Sequence, residues 1–422
     1  MEILLTLRQP LVPSDTGGKV RSWNIFSRLA RRAAIDAVSF AEPAREAAGI
    51  AEMMRVFRSY TPVPWQEAAK HSAGFYKEVL ANQLSPLPYT LAKCDRADFR
   101  HAVEVLAAQR RYDLVLCDFL HTAVPLLRLP ARPKVVFEHN VEFQVRQRKW
   151  ALETHPLRRW IFGTEWKRTR AVEARVCRLF DHVITVSAED RQTLQREFGV
   201  GQVSVLSAGV DTDYFQPAGE PPKPGRLVFV GSMDWDPNED GALWFLREIY
   251  PRIRQAVPHA SFCIVGRAPS ARLRRIAGQS PDVEVTGPVP DVRPYLAAAE
   301  VVVVPLRAGG GTRLKIPEAM AMAKPVVSTP IGAEGLPFAH DRELGLAGEP
   351  EAFAQAVLAL FAQPGLRDAM GAAARKVVVE RHSWESVVGQ MEEILEQVAW
   401  KERLHMARGG ELPKPGVSAW AK

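Results

Sequence analysis

The sequence predicts an α/β protein built from two doubly wound domains, each with a parallel sheet. Three observations carry this. Short β-branched runs recur with helical patterns between them, as βαβ units require. The pattern occurs twice, at 3–6, 35–40, 113–117, 135–138, 182–186 and 203–206, then at 227–230, 262–265, 283–285, 301–304 and 326–328. Between the two sets lies QPAGEPPKPG, whose prolines can continue neither strand nor helix.

Each segment follows from this. Residues 1–215 form the first domain, 216–225 the linker and 226–382 the second domain. Ser383 is an N-cap for an amphipathic helix over 383–405, with Val387, Val388, Met391, Ile394, Leu395 and Val398 on one face. The remainder, 406–422, is rich in Gly, Pro and small residues and reads as a loosely held tail.

Bulk properties narrow the classes. At 422 residues the chain exceeds one ordinary core, and 47% hydrophobic with 24% charged residues is a globular balance. The net charge of +7 favours anionic partners without choosing among them. Four scattered cysteines give no zinc or disulfide framework. No apolar run approaches the roughly 20 residues that span a bilayer, and the N-terminus reads as a strand rather than a leader. The expected location is the cytosol, with peripheral contact on the inner face of a membrane left open.

The segment richest in chemistry is Gly309-Gly310-Gly311-Thr312-Arg313-Leu314-Lys315-Ile316-Pro317-Glu318. Glycines let backbone N–H groups approach an anion, and Arg313 and Lys315 near a helix start add charge-assisted hydrogen bonds. Pro317 belongs in a helix's first turn, so the helix begins near Leu314. The combination suits a nucleotide diphosphate. A solvated glycine loop is the plainer alternative for such a run in isolation.

The motifs LVFVGSMDWDPNEDG, CIVG, VTGPVPDVRPYL, VVVVPL and GGGTRLKIPEAMAMAKPVVST follow one another over 227–335, preceded by weaker ones at Gly17-Gly18 and His139-Asn140-Val141-Glu142. With these, the chain resembles the GT-B glycosyltransferases, and within them the retaining enzymes of glycosyltransferase family 4. The resemblance implies two Rossmann-like domains facing each other across a cleft. It implies transfer of a sugar from a nucleotide diphosphate donor to a glycan or polyprenyl-linked acceptor, in cell-surface or exopolysaccharide synthesis. Retention, no cofactor and no metal are implied with it. Asp211-x-Asp213 and Asp234-x-Asp236 are accordingly not read as metal sites.

By the same resemblance, Glu318 is the second glutamate of the family motif, which contacts the donor ribose. The first falls at Gly310, so no carboxylate can be assigned there. Relatives also carry an arginine and a lysine after the glycine of the first nucleotide-domain strand, whereas Gly231 is followed by SMDWDPN. Arg313 and Lys315, with Arg307 behind them, become the candidate holders of the diphosphate, beside Gly311 and Thr312. Gly266 and the backbone near Val289 are candidates for the base, Gly17 and Gly18 (followed by Lys19) for the phosphates, and His139 for the donor sugar. A nucleotide-sugar epimerase of the same fold and a non-catalytic nucleotide-sugar-binding scaffold remain as alternatives.

The stretch 144–178 holds ten Arg/Lys against three Glu, together with Trp150, Trp160, Ile161, Phe162 and Trp166. It reads either as a surface resting on anionic lipid or as a solvated face whose aromatics pack inward. No nucleic-acid-binding module is recognisable.

Overall fold

The computed structural model describes residues 1–67, 72–127, 129, 133–217, 219, 221–308 and 314–407. The chain divides into two compact units, one made of Met1–Ser207 with the chain from Val388 on, the other of Ala208–Val387.

The first unit is built on seven parallel strands: β1 (Glu2–Leu7), β2 (Ala34–Ala41), β3 (Ser59–Pro64), β4 (Leu114–Asp118), β5 (Lys134–Phe137), β6 (His182–Thr185) and β7 (Val203–Val205). Their order is β3-β2-β1-β4-β5-β6-β7. All five residues of β4 are buried, as expected of a central parallel strand covered on both faces. β3 contains Pro62 and Pro64 and pairs only with β2, at the edge where a missing N–H is tolerated.

The second unit repeats the plan with β8 (Arg226–Val230), β9 (Ser261–Val265), β10 (Val283–Val285), β11 (Val301–Val304), β12 (Val326–Ser328) and β13 (Gly345–Leu346). The order is β10-β9-β8-β11-β12-β13, again all parallel. In both sheets the order reverses beside the first strand, between β1 and β4 and between β8 and β11. That reversal opens the crevice at the strands' carboxyl ends where such sheets bind ligands.

The units change over earlier than the proline-rich segment 216–225 suggests. Val210 bridges Ser383, its N–H donating to the His382 carbonyl at 2.8 Å, and Gly209 is pressed against the Trp384 ring. Backbone pairing therefore commits 208–215 to the second unit. The last helix runs Trp384–Ala407, beyond the expected 405, with Ser383 Oγ accepting the Ser386 N–H at 3.2 Å. Val387, Val388, Met391, Leu395 and Val398 are buried along it. From Val388 onward it counts with the first unit, where Glu392 pairs with Arg32 and Arg403 with Asp113.

Candidate functional site

In the second unit, the loop after β8 gathers the chemistry. Gly231 N–H donates to the Val265 carbonyl at 2.9 Å, and Met233 N–H to the Arg267 carbonyl at 2.9 Å, so the loop continues alongside the end of β9. Gly266 has φ +152°, and a Cβ there would collide with the Gly231 carbonyl. This close backbone approach is a reason for glycine. Gly231 is hemmed in as well, since an added Cβ would stand 2.7 Å from Asn238 Nδ2 and 2.9 Å from Lys315 Nζ.

The cation missing from this loop in the sequence is supplied by other elements. Lys315 opens the helix Lys315–Ala321, with Leu314 at its N-cap, and donates to Asn238 Oδ1 at 2.6 Å. Asn238 Nδ2 in turn donates to the Ser232 carbonyl at 2.8 Å. The ammonium lies 4.6 Å from the Phe229 ring centre, a cation–π contact that holds it over the end of β8. Arg267, next after Gly266, donates to Ser232 Oγ at 2.6 Å and pairs with Asp234 at 3.3 Å. Asn238 lies in the SMDWDPN segment after Gly231 but was passed over because it carries no charge, and Arg267 escaped because it is far from both Gly231 and Lys315 along the chain. The adjacency of β8 and β9 is what brings Arg267 in.

Glu318 lies one turn along from Lys315, its N–H donating to the Leu314 carbonyl at 2.9 Å. Burial lifts its carboxyl to about 7, with Lys315 pulling the other way. Val289 is half-buried against the second unit's core. Arg307 is engaged outside the loop after β8. It is held by two hydrogen bonds to Asp240, at 2.6 and 3.0 Å, and lies over the Trp244 ring on the helix Asp236–Trp244. Gly310, Gly311, Thr312 and Arg313 lie outside the described residues. Asp211 caps a turn by accepting the N–H groups of Asp213 and Tyr214.

In the first unit, Thr16 caps the helix Gly17–Leu29 through the Lys19 N–H. A Cβ on Gly18 would come within 2.8 Å of the Phe119 ring, whereas one on Gly17 would meet nothing within 4 Å. Phe119 ends β4 with φ 67° and ψ 155°, a strained conformation for a residue with a side chain. Its ring stacks on His139 with centroids 3.8 Å apart and planes 13° apart. His139 Nε2 is 2.8 Å from Asp118 Oδ1, and Asp118 Oδ2 accepts from Ser22 Oγ at 2.8 Å. Burial lowers the pKa of His139, and Asp118 opposes that shift without reversing it. Arg21, buried one turn past the glycines, interacts with Asp118 and Asp190, and burial lowers its guanidinium to about 10. Asp118, Ser22, Phe119 and Arg21 thus extend the site around His139 beyond what the motif suggests.

The basic stretch becomes two helices, Glu142–Leu152 and Pro156–Leu179. Glu173 accepts the N–H groups of Glu142 and Phe143 at 2.8 Å each, capping the first helix. Trp150 and Trp166 stack on each other, with Arg159 over Trp150 and Lys149 over Phe162. Leu152, Leu157 and Trp160, around the turn between the helices, are 82%, 61% and 59% exposed. No helix among the described residues is long and apolar enough to cross a membrane.

Two family models match the chain, Glycosyltransferase Family 4 over 54–214 and Glycosyl transferases group 1 over 224–363, which together take in most of it. The chain belongs to the family 4, group 1 glycosyltransferases. Solved structures of this family's GT-B fold superpose along nearly the whole chain. Sucrose-phosphate synthase from Thermosynechococcus elongatus has a TM-score of 0.63 at 18% identity, covering 94% of this chain and 98% of that one. Anabaena Alr3699/HepE, solved in complex with UDP, has a TM-score of 0.63 at 17% identity, covering 94% and 100%. WaaG, a glycosyltransferase involved in lipopolysaccharide biosynthesis, has a TM-score of 0.58 at 15% identity, covering 93% and 99%. An uncharacterised 44.6 kDa protein in the cps region of Klebsiella pneumoniae is 21% identical over 268 residues, 61% of this chain and 68% of that protein.

Proposed function

We propose that this glycosyltransferase moves a hexose from a nucleotide diphosphate donor to a glycan or polyprenyl-linked acceptor with retention, in the synthesis of a cell-surface or exported polysaccharide. The observation that carries the donor reading is Lys315, seated by Asn238 over Gly231 at the carboxyl end of β8, with Glu318 in the same helix. As the glycosidic bond breaks, the diphosphate oxygens gain negative charge, and a preorganised cation there favours the transition state over the ground state. Arg267, already bonded to Ser232 in that loop, is the second cation. Glu318 is suited to accept hydrogen bonds from ribose hydroxyls. His139, kept neutral by burial, would meet a sugar hydroxyl as a hydrogen-bonding group rather than as a charge.

Retention fits front-face attack, in which the departing phosphate takes the acceptor's proton. Fixed cations at the diphosphate allow that reaction without a bound metal, so turnover is expected to survive EDTA. The exposed Leu152, Leu157 and Trp160 among arginines suit peripheral contact with anionic lipid. Flotation with anionic vesicles at physiological salt tests that contact, and absence of binding ends it.

A thermal-shift screen of the full chain with UDP, GDP and ADP tests the donor site. One nucleotide is expected to raise the melting temperature well above the others, and Lys315→Ala to reduce that rise markedly. No response to any of the three would overturn the donor reading.

A further inference from the structure

A third cluster in the first unit is not used by the donor reading. Arg8 directly follows β1, and His121 lies in the helix Leu120–Leu126 that follows β4. They stand at the carboxyl ends of the two strands between which the sheet order reverses, where open α/β sheets bind ligands. Lys93 joins them from the end of the helix Tyr89–Ala92, and Arg146 from the helix Glu142–Leu152.

The carboxylates present do not satisfy this group. Glu67 is shared between Arg8, at 3.4 Å, and Lys93. Arg146 is 3.6 Å from Glu142 and 3.3 Å from Thr90 Oγ1, and its Nε is buried with no hydrogen-bond partner. Burial raises the pKa of Glu142, which weakens it as a counter-ion. His121 is 7% exposed and its Nδ1 is likewise buried without a partner. Burial and the charges of Arg8, Arg146 and Lys93 push His121 well below its ordinary pKa, so protonation does not resolve the mismatch. Leaving a buried polar atom unpaired is unfavourable, and a ligand that supplies the partner removes the cost. The cluster also adjoins the proposed sugar-facing residue, since Phe119 stacks on His139 and meets His121 edge-on at 6.4 Å.

We propose that Arg8, Lys93, Arg146 and His121 form an oxyanion subsite that holds a phosphate or carboxylate group carried by the acceptor. The proposal rests on the glycosyltransferase reading only in calling the ligand an acceptor. Among the described residues the three cations face Glu67, Glu142 and, near Arg146, Glu165, and burial raises the pKa of both Glu142 and Glu165, so the match is poor, while the guanidinium groups offer the paired donors that fit either oxyanion. A phosphate would come from a lipid-linked carrier and a carboxylate from an acidic sugar.

The test uses the full chain saturated with whichever of UDP, GDP and ADP raises its melting temperature, so that the donor site does not take up the probes. Farnesyl diphosphate is compared with farnesol, and methyl β-glucuronide with methyl β-glucoside, by calorimetry and by the ring NMR shifts of His121. At least one anion is expected to bind tenfold or more tightly than its neutral partner, and R8Q/R146Q to erase that preference. Preference in the farnesyl pair identifies a phosphate, and in the glycoside pair a carboxylate. Equal affinities in both pairs, or a preference that survives R8Q/R146Q, would overturn the proposal and leave the cluster as an ion-pair network. Should the double variant fail to fold, R146Q alone, which keeps the Arg8–Glu67 pair, is read the same way. Absence of a thermal shift with all three nucleotides in the unsubstituted protein would fault the donor reading, while the comparison of variants would still decide the subsite.

Discussion

The two units have the same strand order and the same reversal, yet they equip their carboxyl ends differently. Beside β8, charge is brought to bare backbone: Gly231 and Gly266 leave space, and Lys315 and Arg267 fill it from other elements. Beside β4 and β5, the functional groups are buried and tied to one another, with His139 held by Asp118 and covered by Phe119. The second arrangement needs a strained backbone at Phe119, whereas the first needs only glycine. One sheet order can therefore support an exposed cationic cradle or an enclosed hydrogen-bonded group, according to which residues follow the strands.

Substitutions can break this contrast, beginning with the largest effect. Gly266→Ala drives a Cβ into the Gly231 carbonyl, and a loss on the order of 3 kcal/mol is expected in denaturant unfolding. Gly17→Ala, with open space around it, is expected to change stability little, and a large loss there would contradict the difference drawn between these glycines. Lys315→Ala should weaken nucleotide binding about 10-fold or more while leaving the fold intact, the range expected for a lost charge-assisted hydrogen bond. Calorimetry against the responding nucleotide measures it.

Asp118→Asn removes the charge that supports His139, and about 1–3 kcal/mol of stability is expected to go with it. The His139 pKa, read by NMR, should fall further, because Asp118 now opposes the lowering caused by burial. A merely structural role for Asp118 would leave that pKa unmoved. A pH-dependent effect concerns Glu318. Its carboxyl is raised from 4.5 to about 7, so the folded state binds the proton more tightly than the unfolded chain. Stability is then full below the unfolded pKa and declines as pH rises towards 7. The melting temperature should fall between those pH values relative to Glu318→Gln, and parallel curves for the two proteins would refute the shift.

Most strands were legible because buried parallel strands read as short β-branched runs. β3 was not, since its two prolines mimic a loop, and two-residue β13 is too short to carry a pattern. Gly231, Lys315 and Glu318 were legible as motif positions. Their connection through Asn238 was not, because it spans 77 residues and depends on the order of strands in the sheet. The partner of Arg307, which is Asp240, was not legible either, because charge near a motif says nothing of what it pairs with. The proposed oxyanion subsite was silent in the sequence because Arg8, Lys93, His121 and Arg146 come from four separate segments and form no local signature.

The helix Trp384–Ala407 has a consequence for how the protein is made. A ribosome that has delivered the first 207 residues has not delivered the first unit, whose remaining part, from Val388 on, emerges only after the whole second unit. Until then, surface on the early segment that will face Met391 and Leu395 has nothing to cover it. Closure over so long an intervening stretch is entropically slow. The second unit, continuous in sequence, can mature first, while the first unit cannot complete its core until the last helix joins it.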